Sequence, residues 1–139
     1  MTEMLLTEID HVAIAVPDLD AAVAYYEETF GATVAHRERI DSDGVEEALL
    51  KVADSYVQLL TPTSDSSPVA KYLEKKGPGI HHVAFEVDDV DAAVKELLAK
   101  GVRMIDQEPR GGAHGSRIAF IHPAETGGVL MELCQSHHE

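Results

Sequence analysis

Two histidines, a glutamine and a glutamate occupy matching places in the two halves of this 139-residue chain. His11 and His82 each stand third in a stretch of the form Ile-x-His-Val-Ala, and this register selects His82 rather than its neighbour His81. Gln58 and Glu132 each stand third in a mostly apolar stretch of five residues. Two imidazole nitrogens and two oxygens suit an octahedral divalent ion and leave two positions for water or substrate. The pattern therefore predicts one metal centre with His11, Gln58, His82 and Glu132 as its ligands, and the absence of thiolates argues against a closed structural zinc site.

The histidines belong to an internal repeat. Residues 9–23 return as residues 80–94, and 10 of the 15 paired positions are identical. Each copy alternates like a strand, passes a short turn and continues with helical spacing, and Asp18 and Asp89 are predicted to cap the two helices. A duplication of this length indicates two related structural modules.

Three further strand-like segments follow each repeat copy, and a short helix is expected between the two halves. The order in each half predicts an α+β fold of two βαβββ modules in tandem. We expect a single domain of residues 1–139, with half-modules at about 8–61 and 79–135. A linker at about 62–78 is predicted to carry the short helix, which opens with Pro68 at its first position.

Alternation also predicts what each strand face meets. On the first strand, bulky residues such as Ile14 are expected to face a helix, while Ala13 and Ala15 lie on the histidine's side and leave room for a ligand.

In the second half, Val102–Asp106 is predicted as the strand that follows the helix, and Pro109–Gly115 as a glycine-rich turn.

Composition narrows the function further. A net charge of −14 argues against a nucleic-acid partner, which requires a basic surface. No apolar run approaches the roughly 20 residues of a membrane span, and the start of the chain lacks a signal-peptide pattern, so no membrane association is expected. The single cysteine, Cys134, forms no internal disulfide and fits a cytoplasmic location. His137 and His138 lie in a predicted polar tail.

More specific motifs lie in the second half. They are Gly-Ala-His-Gly at 112–115, His-Pro at 122–123 and Gly-Gly-Val-Leu-Met-Glu-Leu at 127–133. With the two histidine stretches, these motifs make nearly the whole chain resemble the vicinal oxygen chelate superfamily, and within it the methylmalonyl-CoA epimerase family. The resemblance implies a cup-shaped mixed sheet around a metal site, an acyl-CoA substrate, a homodimer, and interconversion of (2R)- and (2S)-methylmalonyl-CoA. The ion that it implies is Co²⁺, and the ligand types also admit Ni²⁺, Mn²⁺, Zn²⁺ or Mg²⁺.

Epimerisation at C2 of such a substrate needs a Lewis acid for the enolate charge and an acid/base group on each face. Glu132 is one candidate while it also contacts the metal. Glu47, three residues after the turn glycine Gly44, is the other candidate, at a place where the resembled family carries a glutamate. Alternation separates Glu47 only weakly from Glu46, and Glu86 is a further candidate because it shares the facing of the second histidine.

Substrate contacts are less strongly indicated. His114 and Gly115 lie in the glycine-rich loop, whose backbone amides are suited to hold an oxyanion, and they are predicted to bind substrate. The phosphates of CoA need cations, and the sequence selects none from the available set of Lys71, Lys75, Lys76, Arg110 and Arg117.

Two other functions fit the same superfamily. A glyoxalase-like isomerase or a dioxygenase is one alternative, although dioxygenases use two histidines and one carboxylate, so that Gln58 counts against them. A metal-free ligand-binding module, as in drug-resistance proteins, is the other. It requires His11, His82 and Glu132 to be ordinary interior residues.

Overall fold

A computed structural model describes residues 4–136, apart from the side chain of His114; His137 and His138 lie outside the described residues. The described chain forms eight strands and three α-helices, in the order β1 (Glu8–Ala15), α1 (Leu19–Phe30), β2 (Val34–Ile40), β3 (Val45–Val52), β4 (Ser55–Pro62), α2 (Pro68–Lys76), β5 (Gly79–Glu86), α3 (Val90–Ala99), β6 (Arg110–Gly111), β7 (Arg117–Ile121) and β8 (Met131–Gln135). Two short 3-10 turns, Ala113–Gly115 and Pro123–Thr126, lie on either side of β7. No helix in this part of the chain is long and apolar enough to span a membrane.

The chain divides into two compact units. The first unit is His11–His81, and the second combines the residues up to Asp10 with those from His82 onward. Along the sequence, β1, α1 and β2 to β4 repeat as β5, α3 and β6 to β8, with α2 between them. The predicted βαβββ order and the α+β class are therefore confirmed, and α2 occupies the predicted linker.

Local chemistry sets the ends of the helices. The carboxylates of Asp18 and Asp89 each accept a hydrogen bond at 3.1 Å from the backbone amide three residues later, which is that of Ala21 or Ala92. Each carboxylate thus satisfies an amide that the helix leaves unpaired. Ser67 does the same for α2, with Pro68 as its first residue. Gly31 ends α1 in the left-handed conformation, at a φ of 68°. Each of these boundaries follows from side chains within one turn of it.

The first unit contains a four-stranded sheet in the order β2-β3-β4-β1. β1 runs parallel to β4, and the other pairs are antiparallel. Helix α1 covers one face of this sheet through Leu19 and Val23, which pack among Ile14, Leu50 and Leu59. The bulky side of β1 therefore meets a helix, as predicted.

The opposite face of this sheet is partly covered as well. Val69 of α2 packs in one cluster with Ala13, Ala15 and Leu60. The small side chains of β1 were expected to leave room for a ligand, and the structure corrects this in part. Along Ala13 and Ala15 the room is filled by α2.

The second unit has the sheet order β5-β8-β7-β6, with β5 parallel to β8. Helix α3 packs on it through Val90 and Val94, which join Leu133 in the core. Leu5 and Leu6 of the N-terminal segment pack against the same cluster. This unit therefore repeats the arrangement of the first, with one helix held on the sheet by apolar side chains.

The predicted strand Val102–Asp106 is wrong. Only Met104 forms a bridge in this segment, opposite Ile121, and the strand that follows α3 is instead the short β6. The carboxylate of Asp106 accepts the Phe120 N–H at 2.8 Å, a bond that a ladder carbonyl would otherwise make. Since a side chain substitutes for the backbone partner, the segment lies along β7 without becoming a strand.

Candidate active site

His82 and Glu132 form a buried pair in the second unit. His82 Nε2 lies 3.3 Å from Glu132 Oε2, and both residues are 5% exposed. Phe120 shields the imidazole, with ring centroids 5.4 Å apart and the planes nearly perpendicular. Neighbouring ligands of an octahedral ion at about 2.1 Å are about 3 Å apart, so this spacing fits two ligands of one ion.

Gln58 occupies the equivalent place in the first unit. In the parallel pair β1–β4, Ala13 lies opposite Gln58, and in the parallel pair β5–β8, Ala84 lies opposite Glu132. Each alanine stands two residues after its histidine, so histidine and partner share one sheet face in both units. The match that the repeat predicts in sequence therefore exists in the hydrogen-bond register of both sheets.

The chemistry of these buried groups fits a cation. Gln58 is 6% exposed, and its Oε1 has no hydrogen-bond donor within the described part of the chain. A buried acceptor without a donor is destabilising by about 1–3 kcal/mol, which a bound cation removes. His11, 7% exposed, completes the polar set on β1 and β4. In each unit the predicted ligands are buried, and they present the donor atoms that a borderline-hard divalent ion prefers.

Glu47 is the most deeply buried charged residue among those described, at 0% exposure. It lies in the middle of β3, on the same face as Leu60, its partner across the β3–β4 ladder, and hence as Gln58. Neither carboxylate oxygen has a hydrogen-bond donor among the described residues. Burial therefore raises the pKa of Glu47 to about 7, against an opposing effect of His36 that favours the charged form. A carboxyl group with such a pKa is half ionised near neutral pH and suited to general acid/base work.

Glu46 has a different environment. It points to the other face of β3 and accepts a hydrogen bond from Arg37 Nε at 3.0 Å. Arg37 also donates to Asp20 on α1 at 2.6 Å. The two glutamates that alternation separated only weakly thus lie on opposite faces, and Glu46 belongs to a surface ion-pair network.

Glu86 stabilises the end of β8. Its carboxylate accepts hydrogen bonds from the Ser136 amide at 3.0 Å and the Ser136 hydroxyl at 2.8 Å. The Cys134 thiol lies 3.4 Å from the same carboxylate, and burial raises the pKa of this thiol. Together with Asp10 these groups form a cluster, but their contacts are those of a closed structural network.

The glycine-rich loop is a tight turn. The Gly112 amide donates to the Ser116 carbonyl at 2.9 Å, and the Ser116 amide donates to the Ala113 carbonyl at 3.1 Å. Two of its amides are therefore used within the turn. His114 lies in the 3-10 turn Ala113–Gly115 with its side chain outside the described part of the structure, so its predicted substrate contact, like that of Gly115, remains a prediction.

The candidate cations differ in their surroundings. Arg110 lies over the ring of Phe120 at 5.6 Å, with its Nε 3.2 Å from Asp106, and it pairs in register with Ile118. Register thus places Arg110 on the sheet face that carries Phe120 and Glu132. Arg117 pairs with Asp91 at 3.0 Å next to α3, and Lys76 lies over Tyr72 at 5.7 Å. Of the cations that the sequence left open, Arg110 alone is placed by these contacts beside a predicted ligand.

Sequence reasoning missed two residues beside Glu47. His36 Nε2 lies 2.9 Å from Glu38 Oε1 on β2, and an atom of each lies within 4.8 Å of the Glu47 carboxylate. The turn predicted at residues 41–44 contains the information needed to find this pair. A hairpin symmetric about that turn places Glu38 opposite Glu47, and the structure has this register.

Known proteins resemble this chain over most of its length. Residues 10–120 match the family model of the glyoxalase/bleomycin resistance protein/dioxygenase superfamily. The mitochondrial methylmalonyl-CoA epimerase of Homo sapiens is 41% identical over 132 residues, which cover 94% of this chain and 75% of that protein. The structure of methylmalonyl-CoA epimerase from Mycobacterium tuberculosis superposes with a TM-score of 0.93 at 43% identity, covering 99% of this chain and 93% of the other.

A third similar protein was solved with a ligand. It is a Streptomyces coelicolor methylmalonyl-CoA epimerase with a serine-to-threonine substitution, in complex with 2-nitronate-propionyl-CoA. It has a TM-score of 0.91 and 50% identity, and the match covers 94% of this chain and 95% of that one. On this sequence and structural similarity, the chain belongs to the glyoxalase/bleomycin resistance protein/dioxygenase superfamily and, within it, to the methylmalonyl-CoA epimerase family.

Proposed function

We propose that this protein interconverts the (2R) and (2S) forms of methylmalonyl-CoA by removing and returning the proton at C2. Its family membership supports this activity, and the acyl-CoA analogue bound to the Streptomyces coelicolor relative supports a CoA thioester as substrate. C2 lies between a thioester and a carboxylate, so that loss of its proton leaves an enolate. Inversion requires proton removal on one face and delivery on the other, and hence two acid/base groups.

Glu47 is the first acid/base group. The observation that carries the proposal is its carboxylate, fully buried, without a donor among the described residues, and with its pKa raised to about 7. A buried carboxylate is a stronger base than a solvated one, because burial disfavours its charged form, and here that effect outweighs the opposing effect of His36. Burial also keeps bulk water from the carboxyl group, so that a proton taken from C2 stays on Glu47 during the lifetime of the enolate.

Glu132 is the second acid/base group. It lies on β8 beside His82, with 3.3 Å between Nε2 and Oε2, so an ion shared with His82 would hold this carboxylate oxygen. The other oxygen is then the one available to accept or donate a proton at C2. We assign Glu132 both roles, as ligand and as acid/base group.

Four side chains fit a divalent metal: His11, Gln58, His82 and Glu132. Two observations support this ligand set. Gln58 Oε1 is buried without a hydrogen-bond donor among the described residues, and His82 and Glu132 have the spacing of two ligands of one ion. When bound, a divalent ion supplies Lewis-acid stabilisation of the charge that develops on the thioester and carboxylate oxygens, worth several kcal/mol. Co²⁺ is the ion that we propose first, with Ni²⁺, Mn²⁺, Zn²⁺ and Mg²⁺ as the other ions that such ligands accept.

Four finer parts of the proposal rest on the family resemblance or on single features. His114 and Gly115 contact the acyl-CoA from the 3-10 turn, the protein forms a homodimer, and it functions in the cytoplasm. Arg110, half-exposed on the face of Phe120, is the cation best placed to attract an anionic part of the substrate. Sedimentation equilibrium tests the dimer, and charge reversal at Arg110 with measurement of KM tests the attraction.

The experiment that tests the activity is deuterium exchange. Protein reconstituted with Co²⁺ is incubated with methylmalonyl-CoA in D₂O, and the C2 proton is followed by NMR while a chiral assay follows inversion. We expect exchange and inversion together with wild-type protein, and loss of most of both with Glu47→Gln. The half-buried neighbour Glu46 provides the matched control, since Glu46→Gln keeps the activity. Exchange no faster with metal-replete protein than in buffer alone would remove the proposed function.

A further inference from the structure

Glu47 has to lose a proton to solvent between turnovers. Under the proposed epimerisation, on which this step rests, the C2–H electron pair passes into the enolate and the proton passes to Glu47. The new C2–H bond then forms with a proton from the opposite group. Each turnover in this direction therefore leaves Glu47 with one proton more and Glu132 with one proton fewer, and the enzyme is not ready for the next substrate until Glu47 releases its proton and Glu132 regains one.

The burial of Glu47 obstructs this reset. Its exposed fraction is 0%, so bulk water does not reach the carboxyl group directly. A proton on such a group has to move through neighbouring side chains that can both accept and release it. The residues around the carboxylate decide whether a route exists.

His36 and Glu38 provide such neighbours, and we call them the relay pair. They lie on β2, with His36 Nε2 2.9 Å from Glu38 Oε1, and each has an atom within 4.8 Å of the Glu47 carboxylate. Their side chains are 30% and 36% exposed, respectively. The relay pair is thus partly exposed to solvent and lies near the buried base, at a separation that a single bridging water spans.

The position of the relay pair is otherwise unfavourable for the fold. Glu38 stands directly opposite Glu47 in the antiparallel β2–β3 ladder. Carboxylates in such pairs repel each other, and the effect is destabilising. The destabilisation is reduced when His36 carries a proton between them, which is the state a relay passes through.

We propose that His36, held by Glu38, carries the proton of Glu47 to solvent after each turnover. The neutral imidazole has one nitrogen that donates and one that accepts. It accepts the proton of Glu47 and becomes imidazolium, whose charge the Glu38 carboxylate stabilises. The imidazolium then releases a proton to water, which restores neutral His36 and ionised Glu47. The reverse sequence protonates Glu47 when the substrate of opposite configuration is turned over.

The test compares the first turnover with the later ones, using Co²⁺-loaded protein and methylmalonyl-CoA. With His36→Gln we expect a first turnover within about twofold of wild type and a steady-state rate reduced at least tenfold, seen as a burst of one product per enzyme. Glu38→Gln, at a partly exposed site, gives the same pattern and serves if His36→Gln does not fold. Arg39→Gln is the control, since Arg39 lies on the opposite face of β2, paired with Asp41, and its substitution changes neither phase.

Two further measurements separate a relay from a structural role. Free imidazole should restore steady-state turnover to His36→Ala without changing its first turnover. Substrate deuterated at C2, recovered unreacted from H₂O, should retain more label with His36→Gln than with wild type. First and later turnovers slowed equally, or neither slowed, would overturn the relay. Wild-type protein without any C2 exchange would instead refute the epimerase activity itself, so the two failures are distinguishable.

Discussion

Replacing Glu47 by glutamine is expected to stabilise the protein while it abolishes most of the activity. The carboxyl group has a pKa of about 7 in the folded protein, against an ordinary value of 4.5, because burial disfavours its charged form. At pH 8 the folded protein therefore holds an ionised carboxylate in a place that favours the neutral group. Glutamine has nearly the same shape and no charge to desolvate, so its substitution removes that penalty.

The sign and size follow from proton linkage. Below pH 4.5 the group is protonated whether the chain is folded or not, and the stability that it contributes is fully present. Between pH 4.5 and about 7 the unfolded chain loses its proton first, so the stability falls as pH rises and is lost above the folded pKa. The two pKa values differ by about 2.5, and a difference of one corresponds to about 1.4 kcal/mol, so the whole effect on the free energy of unfolding is about 3 kcal/mol.

Urea unfolding at pH 5 and pH 8 measures this effect, with metal removed by a chelator. The advantage of Glu47→Gln over wild type should be about 2–3 kcal/mol larger at pH 8 than at pH 5, or roughly 10 °C in Tm for a chain of this size. Because packing changes caused by glutamine are the same at both pH values, they cancel in the comparison. Glu46→Gln, at a half-buried site paired with Arg37, should show no such pH dependence. An advantage for Glu47→Gln that is equal at the two pH values would refute the raised pKa.

Three other changes have clear expected outcomes. Glu132→Ala should lose bound metal and activity together, by elemental analysis and turnover, whereas Glu47→Gln keeps its metal; metal retained at stoichiometric level in Glu132→Ala would contradict the ligand assignment. Gly112→Ala places a methyl group 2.8 Å from Ile118 Cγ2 and should cost about 1–3 kcal/mol in urea unfolding, whereas Gly111→Ala meets nothing within 4 Å and should be neutral. Asp89→Ala removes the cap of α3 and should cost about 1 kcal/mol by the same measurement, and no loss would show that solvent replaces the cap.

The fold could be predicted largely because its signals are local or repeated. Asp18 and Asp89 act within one helical turn, so the helix boundaries follow from neighbouring residues. Because the sequence is repeated, the register of the β1–β4 pair recurs in the β5–β8 pair, so that Gln58 and Glu132 occupy equivalent positions. The segment of residues 102–106 was wrong for the opposite reason. Its strand-like pattern was real, but the Asp106 side chain takes the hydrogen bond that a strand needs, and sequence alone does not show which amide it reaches.

The surroundings of Glu47 were harder to predict because they depend on two ladders at once. Burial of its carboxylate follows from β4 on one side and β2 on the other. Alternation within β3 assigns Glu46 and Glu47 to opposite faces but does not say which face is closed. The packing of Val69 from α2 on the Glu47 face closes part of it, and that contact comes from the linker between the modules.

The duplication itself explains why the repeat does not point to Glu47. Glu47 lies opposite Leu60, two residues after Gln58, and the equivalent residue of the second unit lies opposite Cys134, two residues after Glu132. That residue is Ile118, so the carboxylate of the first unit has no counterpart in the second. The first unit thus has Glu47 on β3 and Gln58 on β4, and the second has Ile118 on β7 and Glu132 on β8 at the equivalent positions. Each unit therefore carries one carboxylate there, on a different strand. Under the proposed roles, matching halves supply equivalent metal ligands, whereas the two acid/base groups act on opposite faces of one carbon and need different placements, which divergence between the copies supplies.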